Sequence, residues 1–488
     1  MADKDQSRAP VVEGITTFYA EKRAQFTTPG HKMGHGAAAD AVAALGRKTF
    51  SSDLAMTGAV DDRRASRGWL SQAEELAAAA FGADQTIFST NGSSLSVHAT
   101  LMAVASPGEP VLVLRNMHKS VVAGLILGGA QPIYVAPALD EDLELAHTVD
   151  ASTLEQAIKS NPAARAVLVT SPTYYGVAAD TRALADVCHK HGLPIIVDEA
   201  WGAHFAFHPD LPRHAALSGA DLTITSIHKT LAALGEASII HLKGKRVDPQ
   251  RLARCVDLLE STSISSVMLA SIDLARQQMV RDGHALLERT LRLVRQARSE
   301  INQIDGLQAF GTEVVGRPGA HSLDETKLVV DVRQLGLNGF QAADWLYEQC
   351  GINVELCDQR RILAIVTIGD TAASMRRLVK GIRALADWAR HQQRDCTVRI
   401  PPQRDLLMES VMTPREAFFA PAESVALEQA IGRVAAEMLS PYPPGIPLLA
   451  PGERISAPVV EFIRTMAGAG MFAPDVADPS FKTLRVVT

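Results

Sequence analysis

The chain has 488 residues, 47% of them apolar, and a formal net charge of −6. That length buries a large core in two or three domains, and the mild negative charge supplies no basic face for nucleic acid or an anionic membrane. Five scattered cysteines, with no CxxC pair, point to reduced thiols rather than a disulfide framework.

The chain opens on MADKDQSRAPVVEG, which lacks the apolar run of a secretory signal. The longest apolar stretch, SVVAGLILGGA from Ser120, is too short to cross a bilayer. A soluble cytoplasmic protein is expected.

Between about residues 70 and 245, short β-branched runs alternate with Ala/Leu-rich helical runs. The predicted strands are TIFST (86–90), PVLVLR (110–115), PIYVA (132–136), AVLVTSP (166–172), PIIVDEA (194–200), LTITSIH (222–228) and ASIIHL (237–242). The predicted helices include 71–82, 150–161 and 180–192; the last two open on Asp150 and Asp180, which are suited to N-capping. The alternation predicts an α/β fold, a mostly parallel seven-stranded sheet flanked by helices. Next come a long helix or helix pair at 268–303 and a smaller α+β unit at 326–395. A linker at 399–405 leads to a tail domain whose PYPPGIPLLAPGE (441–453) excludes a regular helix. The expected division is an N-terminal segment 1–60, a large domain 61–305, a small domain 306–398 and a C-terminal domain 399–488.

Four strand-to-helix junctions carry the chemistry. In TITSIHKTLAALGE, His228 and Lys229 stand at a strand end, and a lysine held there serves as a nucleophile once burial and nearby cations lower its pKa. In LPIIVDEAWGAHF, Asp198 ends a buried strand, with Glu199, Ala200 and Trp201 after it. A carboxylate beside such a lysine suits pyridoxal 5′-phosphate (PLP), where it pairs with the protonated pyridine nitrogen. A divalent-ion reading of Asp198, Glu199 and His204 lacks a further ligand at a sensible spacing. STNGSSLS puts Ser93 and Ser94 at a helix start, where N–H groups and hydroxyls hold phosphate. LRNMHKS ends a strand on His118, which can stack on a planar ring. Singly, each stretch reads as well as a helix cap or surface loop; together they supply the parts of a PLP site.

The chain resembles the Orn/Lys/Arg decarboxylase family of PLP enzymes. The matching stretches are TPGHKMG (28–34), 61–84, STNGSS (89–94), RNMHKSV (115–121), SPTYYGVAAD (171–180), VDEAWGAHF (197–205), SIHKTLAAL (226–234), TPREAFFA (413–420) and YPPGIPLLAPGE (442–453). They follow in order over nearly the whole length, and the chain groups with the shorter members, which lack an extra N-terminal domain. The resemblance implies PLP fold type I. It implies that Lys229 carries the cofactor, Asp198 pairs with the pyridine nitrogen and His118 stacks on the ring. Ser93, Ser94, Ser226 and His228 would lie at the phosphate, with Ala200 and Trp201 beside the cofactor. Thr262, within the Ser/Thr stretch 261–263, would reach the phosphate of a neighbouring subunit, giving a homodimer or higher homo-oligomer with shared sites.

The implied reaction is decarboxylation of arginine, lysine or ornithine, with arginine favoured, as in polyamine biosynthesis. His228 or Lys229 would return the proton. Three features depart from the family pattern: Glu236 replaces a usual glutamine, Ile264 stands where proline is common, and GSS (92–94) replaces a Ser/Thr pairing, a chemically mild change. Glu236, Glu409, Glu416 and Glu453 are candidates to meet a basic side chain. Other PLP chemistry, aminotransferase-like or oxidative, and a non-catalytic family member are the alternatives. Retention of Lys229, Asp198 and His118 argues against the second.

Overall fold

The computed structural model describes residues 4–56, 68–392, 401–442 and 445–488. The expected domain boundaries at 60/61 and 398/399 lie outside the described residues, as do Pro443, Pro444 and the start of the 61–84 stretch. The chain divides into two compact units: residues 1–103 with 196–286, and residues 104–195 with 287–488.

Seven strands form the main sheet: β1 (Gln85–Ser89), β2 (Pro110–Leu114), β3 (Gln131–Val135), β4 (Ala166–Thr170), β5 (Ile195–Asp198), β6 (Leu222–Ser226) and β7 (Ser238–Leu242). Their order is β1-β7-β6-β5-β4-β2-β3. β4, β5, β6 and β7 are buried throughout, as their β-branched, mainly apolar character suits in strands covered on both faces.

In the first unit, β5 and β6 are parallel, with Asp198 opposite Ile224. β7 is antiparallel to both β6 and β1, with Ser238 opposite Ser226 on one side and Ser89 on the other. The sheet is therefore mixed, with one reversed strand. The 11 residues between Ser226 and Ser238 are too few for the crossover that a parallel return needs. Because β7 runs against both neighbours, β1, β5 and β6 share a direction, and Ser89, Asp198 and Ser226 all lie at C-terminal strand ends. Helix Trp69–Phe81 packs on β1. Its Glu74 carboxylate accepts from the Phe88 N–H at 2.9 Å, and its Glu74 carbonyl accepts from Thr86 at 2.6 Å.

In the second unit, β2 is parallel to β3 and β4. A four-stranded antiparallel sheet is built from Gln308–Ala309, Lys327–Asp331, Leu356–Cys357 and Arg361–Ile365. It shares a core with helices Gly339–Cys350 and Ala372–Arg390, through Leu346, Leu328, Ile362, Val379 and Ile382. The C-terminal part has its own core, in which helix Ala457–Gly468 packs with the antiparallel pair Ala422–Ala426 and Thr483–Val487.

The segment expected as a long helix or helix pair is one continuous helix, Ser266–Ile301. Asp180 caps its helix, accepting from the Ala183 N–H at 3.0 Å. Asp150 does not: its carboxylate makes no cap bond and instead accepts from the Gly319 N–H at 3.0 Å. A tertiary donor has taken the side chain from its own helix.

Candidate active site

β5 runs buried to its last residue, so the Asp198 carboxyl is only 4% exposed. Burial pushes its pKa up; the Lys229 charge and an N–H bond from Ala200, at 3.2 Å, pull it back. β6 ends on the buried Ser226, which leads into the short helix Ile227–Thr230. That turn carries His228 and Lys229, both half-buried. The Lys229 Nζ lies 4.2 Å from the centroid of the Trp201 ring, a cation–π contact. The His228 Nδ1 donates to the Ala237 carbonyl at 3.0 Å, and burial lowers its pKa.

β1 delivers the third element. Gly92 opens helix Gly92–Val104 with φ +73°, a conformation suited to glycine, and its N–H donates to the Glu236 carbonyl at 2.9 Å. Ser226 Oγ donates to Ser93 Oγ at 2.8 Å, which ties the β6 end to this helix start. Ser94 follows, exposed. A Cβ built on Gly92 meets nothing within 4 Å, so the helix start opens on space. A 13-residue helix N-terminus, three hydroxyls, a buried carboxylate and an amine make a donor set that fits a phosphorylated pyridine aldehyde.

Nine of the ten expected site residues belong to the first unit: Ser93, Ser94, Asp198, Ala200, Trp201, Ser226, His228, Lys229 and Thr262. Ala200 is buried directly after the Asp198–Glu199 pair, whereas Thr262 is exposed on the loop before the long helix. His118 belongs to the second unit. There it caps helix Lys119–Gly128, its Nδ1 accepting from the Ser120 N–H at 3.2 Å.

Three of the four candidate glutamates have side-chain partners within the chain. Glu453, 0% exposed, pairs through both oxygens with Arg115 at 2.9 Å. Glu416 closes a capping box with Thr413, and Glu409 meets Arg454 at 3.1 Å. Glu236 is exposed with φ +70°, and its carbonyl holds the Gly92 N–H.

Sequence reasoning missed the layer behind Asp198. Glu199 is 2% exposed, accepts from the Ala215 N–H at 3.1 Å and lies 3.1 Å from His214 Nε2. His214 Nδ1 accepts from the Ala216 N–H at 3.3 Å, so the neutral ring carries its proton on the edge facing Glu199. Burial pushes His214 down to about 3 and Glu199 well up. The one sequence signal was the second acid of DEAW, set on a buried strand end.

Residues 9–374 match the family model described as Orn/Lys/Arg decarboxylase, major domain, and residues 401–475 match the Orn/Lys/Arg decarboxylase C-terminal domain. The arginine decarboxylase of Halalkalibacterium halodurans is 38% identical over 485 residues, covering 99% of this chain and 98% of that one. The arginine decarboxylase of Bacillus subtilis is 37% identical, with 99% and 98% coverage. In fold, the chain is similar to the constitutive lysine decarboxylase of E. coli, with a TM-score of 0.80 at 23% identity, covering 99% of this chain and 82% of that one. The chain belongs to the Orn/Lys/Arg decarboxylase family.

Proposed function

We propose that this chain decarboxylates a basic L-amino acid, arginine, to the corresponding amine and carbon dioxide, using PLP carried on Lys229. The observation that supports this most is Lys229 over the Trp201 face, with the buried Asp198 on the adjacent parallel strand. The whole-length likeness to two arginine decarboxylases favours arginine.

Bound there, PLP supplies an electron sink for the pair left when carbon dioxide departs. Ser93, Ser94, Ser226 and the helix start would hold the phosphate, and Ala200 and Trp201 would line the ring. Asp198, a carboxylate in an apolar setting, would keep the pyridine nitrogen protonated. His118 would stack on the ring. Lys229 would hold the cofactor through its amine, and Lys229 or His228 would return a proton to the α-carbon. Apolar walls in place of water favour loss of the carboxylate charge. Thr262 reaches the phosphate of a partner subunit in a cytoplasmic homodimer, and the amine product feeds polyamine synthesis. The proposed domains are 1–60, 61–305, 306–398 and 399–488.

The Lys229→Ala variant tests the assignment. It is expected to remain folded, to retain part of its PLP affinity and to release no carbon dioxide from arginine. Substantial residual release would overturn the role of Lys229.

A further inference from the structure

All the residues of this inference lie in the second unit. The loop after β2 carries Arg115 and His118, and one remote stretch of chain, residues 445–453, meets it. Arg115 Nε and Nη2 donate to the two oxygens of Glu453, each at 2.9 Å. Arg115 Nη1 donates to the Pro447 carbonyl at 2.6 Å, and Nη2 donates also to the Leu448 carbonyl at 3.2 Å. The Lys119 N–H donates to the Gly445 carbonyl at 2.9 Å. The residues on either side of His118 are thus bonded to residues 445–453.

The imidazole itself is held at two edges. Nδ1 lies 2.8 Å from the Ser120 hydroxyl and accepts from the Ser120 N–H. The opposite edge lies against Gly445: a Cβ there would sit 3.3 Å from Nε2 and 3.4 Å from Cδ2. Gly445 also has φ +86°. Two requirements, a left-handed backbone and room for the imidazole, meet at one glycine.

We propose that the C-terminal segment Gly445–Glu453 is a positioning element for the His118 loop, setting the plane of the His118 imidazole. Gly445 and Glu453 are positioning residues, because each acts through His118 or its loop. The proposal rests on the reading of His118 as the residue that stacks on the cofactor ring.

Gly445→Ala in the PLP-loaded enzyme is the test, with Gly432→Ala as its match. Gly432 lies in the same C-terminal part with φ +82° and nothing within 4 Å of a built Cβ, so it carries the backbone penalty without the contact. Three readouts are taken: steady-state kinetics with arginine, the visible circular dichroism of the cofactor, and the rate at which diethylpyrocarbonate modifies His118, followed by peptide mass. A displacement of a few tenths of an ångström in Gly445→Ala is expected to lower kcat about tenfold while KM stays within about twofold. The cofactor band shifts, and the His118 modification rate changes severalfold. Gly432→Ala leaves all three near wild type. Indistinguishable behaviour of the two variants, or an unaltered His118 modification rate in Gly445→Ala, would overturn the proposal. His118→Ala separates this from the parent reading. If that variant leaves the cofactor band unchanged, the stacking role fails, and the modification rates alone decide the positioning.

Discussion

Removing the Glu453 carboxylate isolates what joins the C-terminal residues to the rest of their unit. Glu453 is 0% exposed, its partner Arg115 8%, and both carboxylate oxygens are engaged. Glu453→Ala leaves a buried guanidinium with two backbone carbonyls and the Tyr134 ring to meet it, and without its carboxylate. Stripping one member from a buried ion pair costs about 3–5 kcal/mol. The Ala450 N–H, which donates to the same carboxylate at 2.8 Å, loses its acceptor for about 1 kcal/mol more. Arg115→Met costs a similar amount, because it strands the carboxylate. The double variant Arg115→Met/Glu453→Leu buries no unpaired charge, so its loss falls short of the sum of the singles by at least about 2 kcal/mol. Equilibrium urea denaturation of the four proteins, at fixed PLP and protein concentration, gives the cycle. Single losses below about 0.5 kcal/mol that simply add would refute the reasoning, because they would mean that the pair is solvated or unformed. They would also return Glu453 to the candidates for binding a basic substrate.

Two further predictions concern the site. Asp198→Asn, which removes the carboxylate proposed to face the pyridine nitrogen and changes little volume, is expected to lower kcat at least about a hundredfold, measured as carbon dioxide release at saturating PLP; near-normal turnover contradicts the proposed role. His214 carries a pH signature: burial lowers its pKa from 6.5 to about 3. Its folded pKa is depressed, so the unfolded chain takes up the proton first. The contribution is present above about pH 6.5 and is lost as pH falls, reaching about 2 kcal/mol by pH 5. The raised Glu199 acts with opposite sign, favouring the folded state at lower pH, and is common to wild type and variant. Between pH 7.5 and 5, wild type should therefore lose about 2 kcal/mol more stability than His214→Gln in urea titrations. Equal losses would show that His214 is not buried neutral.

Much of this site was legible because its chemistry sits where strands end. A buried apolar run that leads to a charged residue marks both Asp198 and Lys229, and their placement at the ends of adjacent parallel strands follows from the alternation of strands and helices. The reversal of β7 was legible in principle, since a span of 11 residues leaves no room for a parallel crossover. Contacts made across hundreds of residues were not. Periodicity says nothing of a pairing between Arg115 and Glu453, 338 positions apart, so Glu453 read as a free acid. Asp150 read as a cap because a local acceptor at a helix start is the default; the Gly319 N–H that claims it comes from 169 residues away. Glu236 is a charge beside the lysine turn, acting on His228; what periodicity did not show is its backbone carbonyl, which holds the helix start.

The central claim is tested most directly by incubating the purified, PLP-reconstituted protein with arginine, lysine and ornithine separately, identifying products by mass while measuring carbon dioxide. The account predicts the decarboxylated amine of arginine, with one carbon dioxide for each, and little turnover of the other two. Bound PLP with no carbon dioxide from any of the three, or a keto acid in place of an amine, would contradict it.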